Sequence, residues 1–312
     1  MGRINELFCD YLGRSETFAD FWNGTLFRGI PLLQSKYFIR QDREYHKSQH
    51  KEGKSGIHRD VLMQYRDAGT FLLGIEVMDT LDYSIPVRIV DYDAQELMRQ
   101  VKDIGSANRQ AVKEGLEMWE NSGEFLYGIK KEDKLLPIHT VALYCGTEDY
   151  DGKESVLEMT EYDKLAPEVK ALFADYPIDL YQLKDLQEEN YQTSLREIIA
   201  VFKRSHNPEE VKKYYLENKK RFGHMDELSI DLMGELIGNR KLKMFKQENG
   251  GVDVCKAFED EREEGRLEGR LEGEETLRQA ISNLMKNLKM SFTQAVEALG
   301  IPKSEWEKYR KV

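Results

Sequence analysis

Long apolar stretches are absent from this sequence. No run of about 18 consecutive apolar residues occurs, and the N-terminal segment MGRINELFCDYLGRSE carries charges throughout. A membrane-spanning helix and the apolar part of a secretory signal both need such a stretch. The sequence therefore predicts a cytoplasmic protein without a membrane partner.

Cysteine is scarce as well. The three cysteines, Cys9, Cys145 and Cys255, are widely spaced and none belongs to a CxxC pair. A disulfide framework uses an even set of cysteines, and a structural zinc site needs clustered ligands at short spacings. The sequence disfavours both kinds of site and predicts reduced thiols.

The chain has no overall excess of positive charge. Its 57 Asp and Glu residues outnumber 46 Lys and Arg, which gives a net charge of −11. A protein that coats nucleic acid nonspecifically needs positive charge to bind phosphate, so this class is disfavoured. Residues 36–59 differ locally, with seven Lys or Arg against three acids. This basic segment fits either a groove that binds nucleic acid or a solvated surface loop.

The basic segment also holds three of the histidines. His46 and His50 are four residues apart, a spacing that suits two zinc ligands on one helical turn. The surroundings are polar and contain glycine, and no further Cys or His pair completes a ligand set. We therefore favour solvated or phosphate-contacting histidines over a zinc site.

Hydrophobic periodicity divides the chain into a mixed part and a helical part. Apolar runs bounded by turn residues predict four strands, at 59–65, 70–77, 139–145 and 178–183. Helical spacing predicts a helix that Ser15 caps, another at about 91–117, and helices alone from 194 onward. This order indicates an α/β or α+β core with an all-helical C-terminal extension. The predicted regions are a core at 1–190, a helical extension at 191–250 and a terminal helical region at 251–312.

Two acids lie on the adjacent predicted strands at 59–65 and 70–77. Asp60 stands at the start of the first strand, and Glu76 lies near the end of the second. Side chains of equal parity share one face of a strand, so Glu76 and Met78 point the same way. If the two acids converge, their oxygens suit Mg²⁺ or Mn²⁺. Acids at strand ends are common, however, and the spacing alone also fits a site without metal.

The order of motifs around these acids resembles the Rpn family of recombination-promoting nucleases, also described as PD-(D/E)XK family transposases. Members carry an RDV segment with a later Tyr, a GIE segment, a P-[VL]-R segment, and a YD pair followed by Gln. The matching positions are Arg59, Asp60, Val61, Tyr65, Gly74, Ile75, Glu76, Pro86, Val87, Arg88, Tyr92, Asp93 and Gln100. Residues 16–29 are similar to the N-terminal helix of the family, and residues 140–152 to its later strand and acidic turn.

The resemblance implies a restriction-endonuclease-like core, in which helices flank a central mixed sheet, and which cuts DNA with a divalent metal. Carried over by position, Asp60 and Glu76 would be the ligands of Mg²⁺ or Mn²⁺. Asp20, or less favourably Glu16, would be the acid on the helix behind the metal. Gln100 matches a position near the scissile phosphate.

The third motif position departs from the family pattern, because it is Met78 where Lys or Gln is usual. A thioether neither donates a hydrogen bond nor supplies positive charge. Losing one hydrogen-bond donor or positive charge that stabilises the transition state lowers the rate about a hundred- to a thousandfold. Gln64 on the same strand face, Arg88 or Gln100 could replace it. Otherwise the chain is an inactive nuclease-fold protein that binds DNA or a protein partner.

Three glycines recur at every fourth residue of the charged segment EEGRLEGRLEGEE. On one helix over 252–290, Gly265, Gly269 and Gly273 form a stripe that costs about 2–3 kcal/mol relative to alanine. Close packing against a second helix would compensate, and it predicts a homodimer through the C-terminal helical region. A flexible spacer is the alternative interpretation, and a helical assembly module without nuclease activity is a third.

Leu267 and Leu271 belong to the same repeat. In the dimer interpretation they flank the glycine stripe and contribute apolar contact to the second helix. Beyond the repeat, the sequence predicts a cap at Ser291, a short helix, a turn at Gly300 and a final basic helix from about Pro302. This arrangement fits a helix-turn-helix that contacts DNA, or an ordinary packing unit.

Overall fold

The computed structural model describes residues 2–41, 60–238 and 254–310. The chain divides into two compact units, Met1–Val252 and Asp253–Val312. The helical residues 191–238 belong to the same unit as the sheet. Within the described ranges, no helix combines the length and the apolar character that crossing a bilayer requires.

The first unit contains all five strands and eight of the described helices. The strands are β1 Phe38–Arg40, β2 Val61–Arg66, β3 Thr70–Met78, β4 Ile138–Tyr144 and β5 Asp179–Gln182. The helices are α1 Arg3–Leu12, α2 Ser15–Leu26, α3 Ile85–Lys113, α4 Ser122–Tyr127, α5 Pro167–Lys170, α6 Leu195–Arg204, α7 Pro208–Phe222 and α8 Glu227–Leu236.

The five strands form one mixed sheet in chain order, β1-β2-β3-β4-β5. β1, β2 and β3 pair antiparallel, whereas β3, β4 and β5 pair parallel. β3 is buried on both faces from Leu72 to Met78, which explains its nearly continuous apolar run. The prediction of an α/β protein with a mixed sheet flanked by helices is confirmed.

Helices cover both faces of this sheet. On one face, Ile85 and Ile89 of α3 pack against Met78 of β3 and against Ala142 and Tyr144 of β4. Thr140 of β4 also faces α3, because its hydroxyl donates to the carboxylate of Asp93 at 2.6 Å.

The opposite face holds the aromatic side chains of α2. Phe18 contacts Phe38 of β1 with ring centroids 5.0 Å apart, and Trp22 contacts His139 of β4 at 5.8 Å. Because side chains alternate along each strand, the residues that face α3 cannot also face α2. The sheet therefore separates an α3 layer, which contains Glu76 and Met78, from an α2 layer.

Strand positions agree with the sequence prediction within about two residues, whereas several boundaries differ. β1 was not predicted, because three residues inside a polar segment give no periodic signal. α3 begins six residues earlier than predicted, since Pro86 is compatible with the first helical turn. Ser15 is the first residue of α2, and its side chain makes no cap; Arg14 occupies the N-cap position.

The helical part of the first unit is built by amphipathic helices. α6 buries one side through Ile198, Ile199 and Phe202, and α7 buries Tyr215 and Phe222, whose rings are 5.2 Å apart. Arg221 of α7 forms an ion pair with the buried carboxylate of Glu197 in α6. These contacts fix α7 on α6.

In the described residues of the second unit, the chain forms three α-helices, α9 Val254–Asn287, α10 Phe292–Ala298 and α11 Trp306–Tyr309. Its core contains Ile281 of α9, Val296 of α10 and Tyr309 of α11. Ser291 caps α10 as predicted and forms a capping box with Gln294.

The final basic helix is shorter than the sequence predicts. After Gly300 (φ 67°), the chain forms a 3-10 turn at Lys303–Glu305 and then the four-residue α11. Lys308 pairs with Glu274, and Arg310 pairs with Glu307, so two of its cations are already matched by acids. In place of a long final helix, these residues therefore form a 3-10 turn and one short helix.

The leucines of the EEGRLEGRLEGEE segment do not flank the glycine stripe, contrary to the sequence prediction. Two residues correspond to about 200° around a helix, so Leu267 and Leu271 lie opposite the glycines instead of flanking them. Both leucines are exposed, and a Cβ added at Gly269 or Gly273 would meet no atom within 4 Å.

Candidate functional site

The pairing of β2 with β3 brings the two predicted acids together. Val61 lies opposite Ile75, so Asp60, one residue before β2, stands next to Glu76. The backbone N–H of Asp60 donates to Oε2 of Glu76 at 3.3 Å, and Oδ2 of Asp60 accepts from the backbone N–H of Val77 at 2.9 Å. Each carboxylate therefore bonds to the backbone of the other strand.

Both carboxylates are buried, with 2% of each residue exposed. Burial, and next the negative charge of Asp60, raise the pKa of Glu76 to about 8, although Arg88 and hydrogen bonds act in the opposite direction. Two carboxylates in a low-dielectric environment repel each other, and one then holds a proton unless a cation compensates. Glu76 therefore holds a proton more readily than an exposed carboxyl does.

Arg88 of α3 is a cation that contacts Glu76 of this pair. Its Nη2 forms an ion pair with Oε1 of Glu76, and its Nη1 forms a second ion pair with Asp82 in the loop before α3. The same Nη2 lies 3.1 Å from the hydroxyl of Tyr92, which in turn donates to Oε1 of Glu76 at 3.2 Å. Of the three residues that the sequence named as able to reach this site, Arg88 is the one that contacts Glu76.

The donor type of the pair fits a divalent metal. Carboxylate oxygens are the ligands that Mg²⁺ and Mn²⁺ prefer, and a dication would offset the repulsion from Asp60, which adds to burial in raising the pKa of Glu76. Asp60 and Glu76 are the two residues that would hold it. Among the described residues, no group of three His, Cys, Asp or Glu side chains is placed to hold a metal ion.

Asp20 does not join the pair. It lies on α2, and its carboxylate accepts hydrogen bonds from the backbone N–H groups of Gln192 and Thr193 at 2.8–3.1 Å. The hydroxyl of Thr193 donates to the same carboxylate at 2.6 Å. These partners fix the segment before α6, so Asp20 acts here as a structural acid and not as the acid behind the metal.

Met78 shares the α3 face with Glu76, as the strand alternation predicts. Its side chain is buried in the apolar cluster that includes Ile85, Ile89 and Tyr144. The third motif position is therefore a core position in this chain. A methionine is suited to it because the neighbours are apolar, and no polar partner is needed.

Gln64 does not replace the missing polar group. It lies four residues along the strand from Asp60, a separation of about 13 Å. Its Oε1 accepts a hydrogen bond from Arg66 at 2.8 Å. The shared strand face predicted from the sequence is correct, but the distance prevents contact with the acid pair.

Gln100 is also far from the acids. It lies twelve residues beyond Arg88 on α3, about 18 Å along the helix. Its Oε1 accepts from the backbone N–H of Leu136 at 2.7 Å, and its Nε2 lies 3.4 Å from the Leu136 carbonyl. This two-way amide contact fixes the chain just before β4, which is a structural role.

Two residues of the site were not predicted to belong to it. Tyr92 is in the matched motif and lies four residues after Arg88, so both lie on one face of α3. This spacing is a signal that sequence reasoning could have used. Asp82 gave no such signal, because its contact with Arg88 depends on the path of the loop between β3 and α3.

Part of the basic segment and its histidines His46, His50 and His58 lie outside the described residues, as does Arg59 of the matched motif. Comparison with protein-family models, with curated proteins and with solved structures gave no match for the chain.

Proposed function

We propose that this protein is a metal-dependent DNA endonuclease of the Rpn, or PD-(D/E)XK, type that hydrolyses phosphodiester bonds. The observation that supports it most is the buried, adjacent pair Asp60 and Glu76, with the raised pKa of Glu76. The motif resemblance supplies the substrate class, since the family it resembles cuts DNA.

In this proposal Asp60 and Glu76 bind Mg²⁺ or Mn²⁺. When bound, such a cation polarises a phosphodiester and lowers the pKa of an attacking water. Tyr92 orients Glu76 through the hydroxyl contact at 3.2 Å. Arg88 supplies the positive charge that Met78 lacks, and its planar guanidinium suits phosphate oxygens.

A second candidate is a nuclease-fold protein that binds DNA or a protein partner without hydrolysis. The position of Met78 in the apolar cluster favours it, because no polar group reaches the acid pair from the third motif position. Arg88 is the residue that decides between the candidates, since it must act on phosphate for the enzyme.

Supercoiled plasmid incubated with the purified chain, with and without Mg²⁺ or Mn²⁺, tests the proposal. We expect metal-dependent nicking that disappears in Asp60→Ala and persists in Asp67→Ala, which removes an exposed acid from the β2–β3 turn. A DNA mobility shift without nicking under all metal conditions would instead support the second candidate.

We also propose a homodimer through the C-terminal helical region. Leu267 and Leu271 are 45% and 65% exposed on α9, and burying them against a second helix would remove apolar surface from water. Sizing of the full chain with both leucines replaced by glutamate should give a monomer. A dimer that survives this change would place the interface elsewhere.

A further inference from the structure

Arg88 contacts Glu76 and is the more exposed of the two side chains. The side chain of Glu76 is 3% exposed, whereas that of Arg88 is 34% exposed. A cation that approaches Glu76 along Arg88 therefore meets a like charge. As long as the guanidinium stays on Oε1, that oxygen has two donors, Arg88 and Tyr92.

Asp82 is a second, fixed acceptor for the same guanidinium. Its Oδ1 accepts from the backbone N–H of Ser84 at 2.9 Å and from the Ser84 hydroxyl at 2.6 Å, while Oδ2 pairs with Arg88. Partial burial acts to raise the pKa of Asp82, but the hydrogen bonds from Ser84 and Arg88 outweigh it and lower this pKa. Asp82 is thus ionised near neutral pH and is held in place without Arg88.

We propose that Arg88 and a divalent cation exchange on Glu76, and that Asp82 retains the guanidinium while the cation is bound. The inference rests on the proposed function, since it needs a cation at Asp60 and Glu76. It assigns Arg88 and Asp82 as positioning residues for the cation, in addition to any contact that Arg88 makes with phosphate.

Two features of Arg88 support the exchange: its positive charge and its simultaneous contact with two acids. A guanidinium and a dication on one carboxylate repel each other, and the repulsion is strong where burial lowers the local dielectric. Arg88 has two separate N–H groups on the two acids, so releasing Glu76 leaves the contact with Asp82 intact. A second acceptor of this kind lowers the penalty for displacing the first contact.

The exchange predicts opposite effects of two substitutions on cation affinity. Arg88→Met removes the competitor and should tighten Mn²⁺ binding by about tenfold, within the usual range of coupling between two sites. Asp82→Asn removes the retaining acceptor and should weaken Mn²⁺ binding by about fivefold. Long-range repulsion of the cation by Arg88 and its attraction by Asp82 would change Mn²⁺ affinity in the same two directions. The directions alone therefore do not establish the exchange.

The double variant separates exchange from a general field effect. Field effects of two charges add, so Asp82→Asn would then weaken binding equally with and without Arg88. In the exchange, Asp82 acts only through Arg88. Asp82→Asn in the Arg88→Met background should therefore change Mn²⁺ affinity by less than twofold.

The experiment is titration calorimetry of the full chain with Mn²⁺ for the wild type, both single variants and the double variant, with Glu76→Gln as the control for site-specific binding. Weakening by Asp82→Asn that is lost in the Arg88→Met background supports the exchange. Equal weakening in both backgrounds, or unchanged affinity in Arg88→Met, overturns it while leaving the cation site of the proposed function intact. Absence of Mn²⁺ binding from every chain overturns both.

Folding of the variants is checked by circular dichroism melting, because Arg88→Met leaves the buried Glu76 without its ion pair. If this variant does not fold, Arg88→Lys replaces it in the cycle. A lysine ammonium is a single point charge that cannot bridge two acids as a forked guanidinium does. Asp82→Asn should then weaken Mn²⁺ binding by less than twofold in the Arg88→Lys background, and a full fivefold weakening there overturns the exchange.

Discussion

Two buried acids of the first unit, Asp20 and Glu76, have different surroundings. Asp20 accepts hydrogen bonds from two backbone N–H groups and a hydroxyl of the segment before α6. Glu76 lies beside a second buried acid; it accepts one backbone N–H, that of Asp60, and in addition forms an ion pair with the partly exposed Arg88. Backbone donors are permanent parts of the fold, whereas a side-chain cation can be exchanged. Burial alone therefore does not distinguish the two acids, whereas their partners do.

The largest effect should separate the two acids by activity. In the proposed nuclease, Glu76→Gln would remove a cation ligand and should lower metal-dependent nicking by about a hundred- to a thousandfold. Asp20→Ala, assayed where circular dichroism shows it folded, should stay within about twofold of the wild type. Glu132→Gln, an exposed acid, is the control for the substitution itself. Equal losses in the Asp20 and Glu76 variants would remove the distinction.

Asp20 should matter for folding stability, just as Glu76 should matter for activity. Asp20→Ala leaves the donors of Gln192 and Thr193 without an acceptor and should lower the free energy of unfolding by about 3 kcal/mol. Urea denaturation measures this change, with Asp10→Ala on the exposed side of α1 as the control. A loss below about 1 kcal/mol would mean that Asp20 does not hold the segment before α6.

The pH dependence of stability should depend on Glu76. Its pKa in the folded chain is raised to about 8, so the folded state binds a proton that the unfolded state releases above its ordinary pKa. The resulting stability is complete below about pH 4.5 and is lost as pH rises toward 8. Relative to Glu76→Gln, the metal-free wild type should lose roughly 3 kcal/mol between pH 5 and pH 8. Parallel stability curves for the two chains in chelator would contradict the raised pKa.

The smallest of these effects concerns Met78, which contacts core residues and not the acids. Met78→Gln places an amide among Ile85, Ile89 and Tyr144 and should lower the free energy of unfolding by about 1–2 kcal/mol. Thermal melting checks this, with the exposed Met98→Gln of α3 as the matched control. We expect no gain in nicking. A stable variant with new nicking activity would show that the third position can reach the acid pair.

The sequence was most informative where contacts are local. The hairpin of β2 and β3, with few residues between the strands, fixes the register that sets Asp60 beside Glu76. Strand alternation places Met78 and Gln64 on the correct faces. Alternation gives a face but no distance, and for this reason Gln64 was assigned to a site about 13 Å away.

Residues on helices were predicted less well. Asp20 and Gln100 match motif positions, yet one bonds to the segment before α6 and the other to Leu136. Both partners are remote in sequence. Gln192 lies 172 residues from Asp20, and Leu136 lies 36 residues from Gln100. Helical spacing indicates which side of a helix is buried, but it does not identify the element that buries it.

The amino-acid order by itself indicated strands mixed with helices, a helical C-terminal part and the approach of Asp60 to Glu76, because alternation and short connections act between neighbours in the chain; the sheet flanked by helices was implied by the motif resemblance. Only the tertiary structure decided that Arg88 and Asp82 join this pair, that Met78 belongs to the core, and that Asp20 serves elsewhere. Those outcomes depend on how α3 and α2 pack on opposite faces of the sheet. Such packing is set by burial among residues far apart in sequence, which no local pattern encodes.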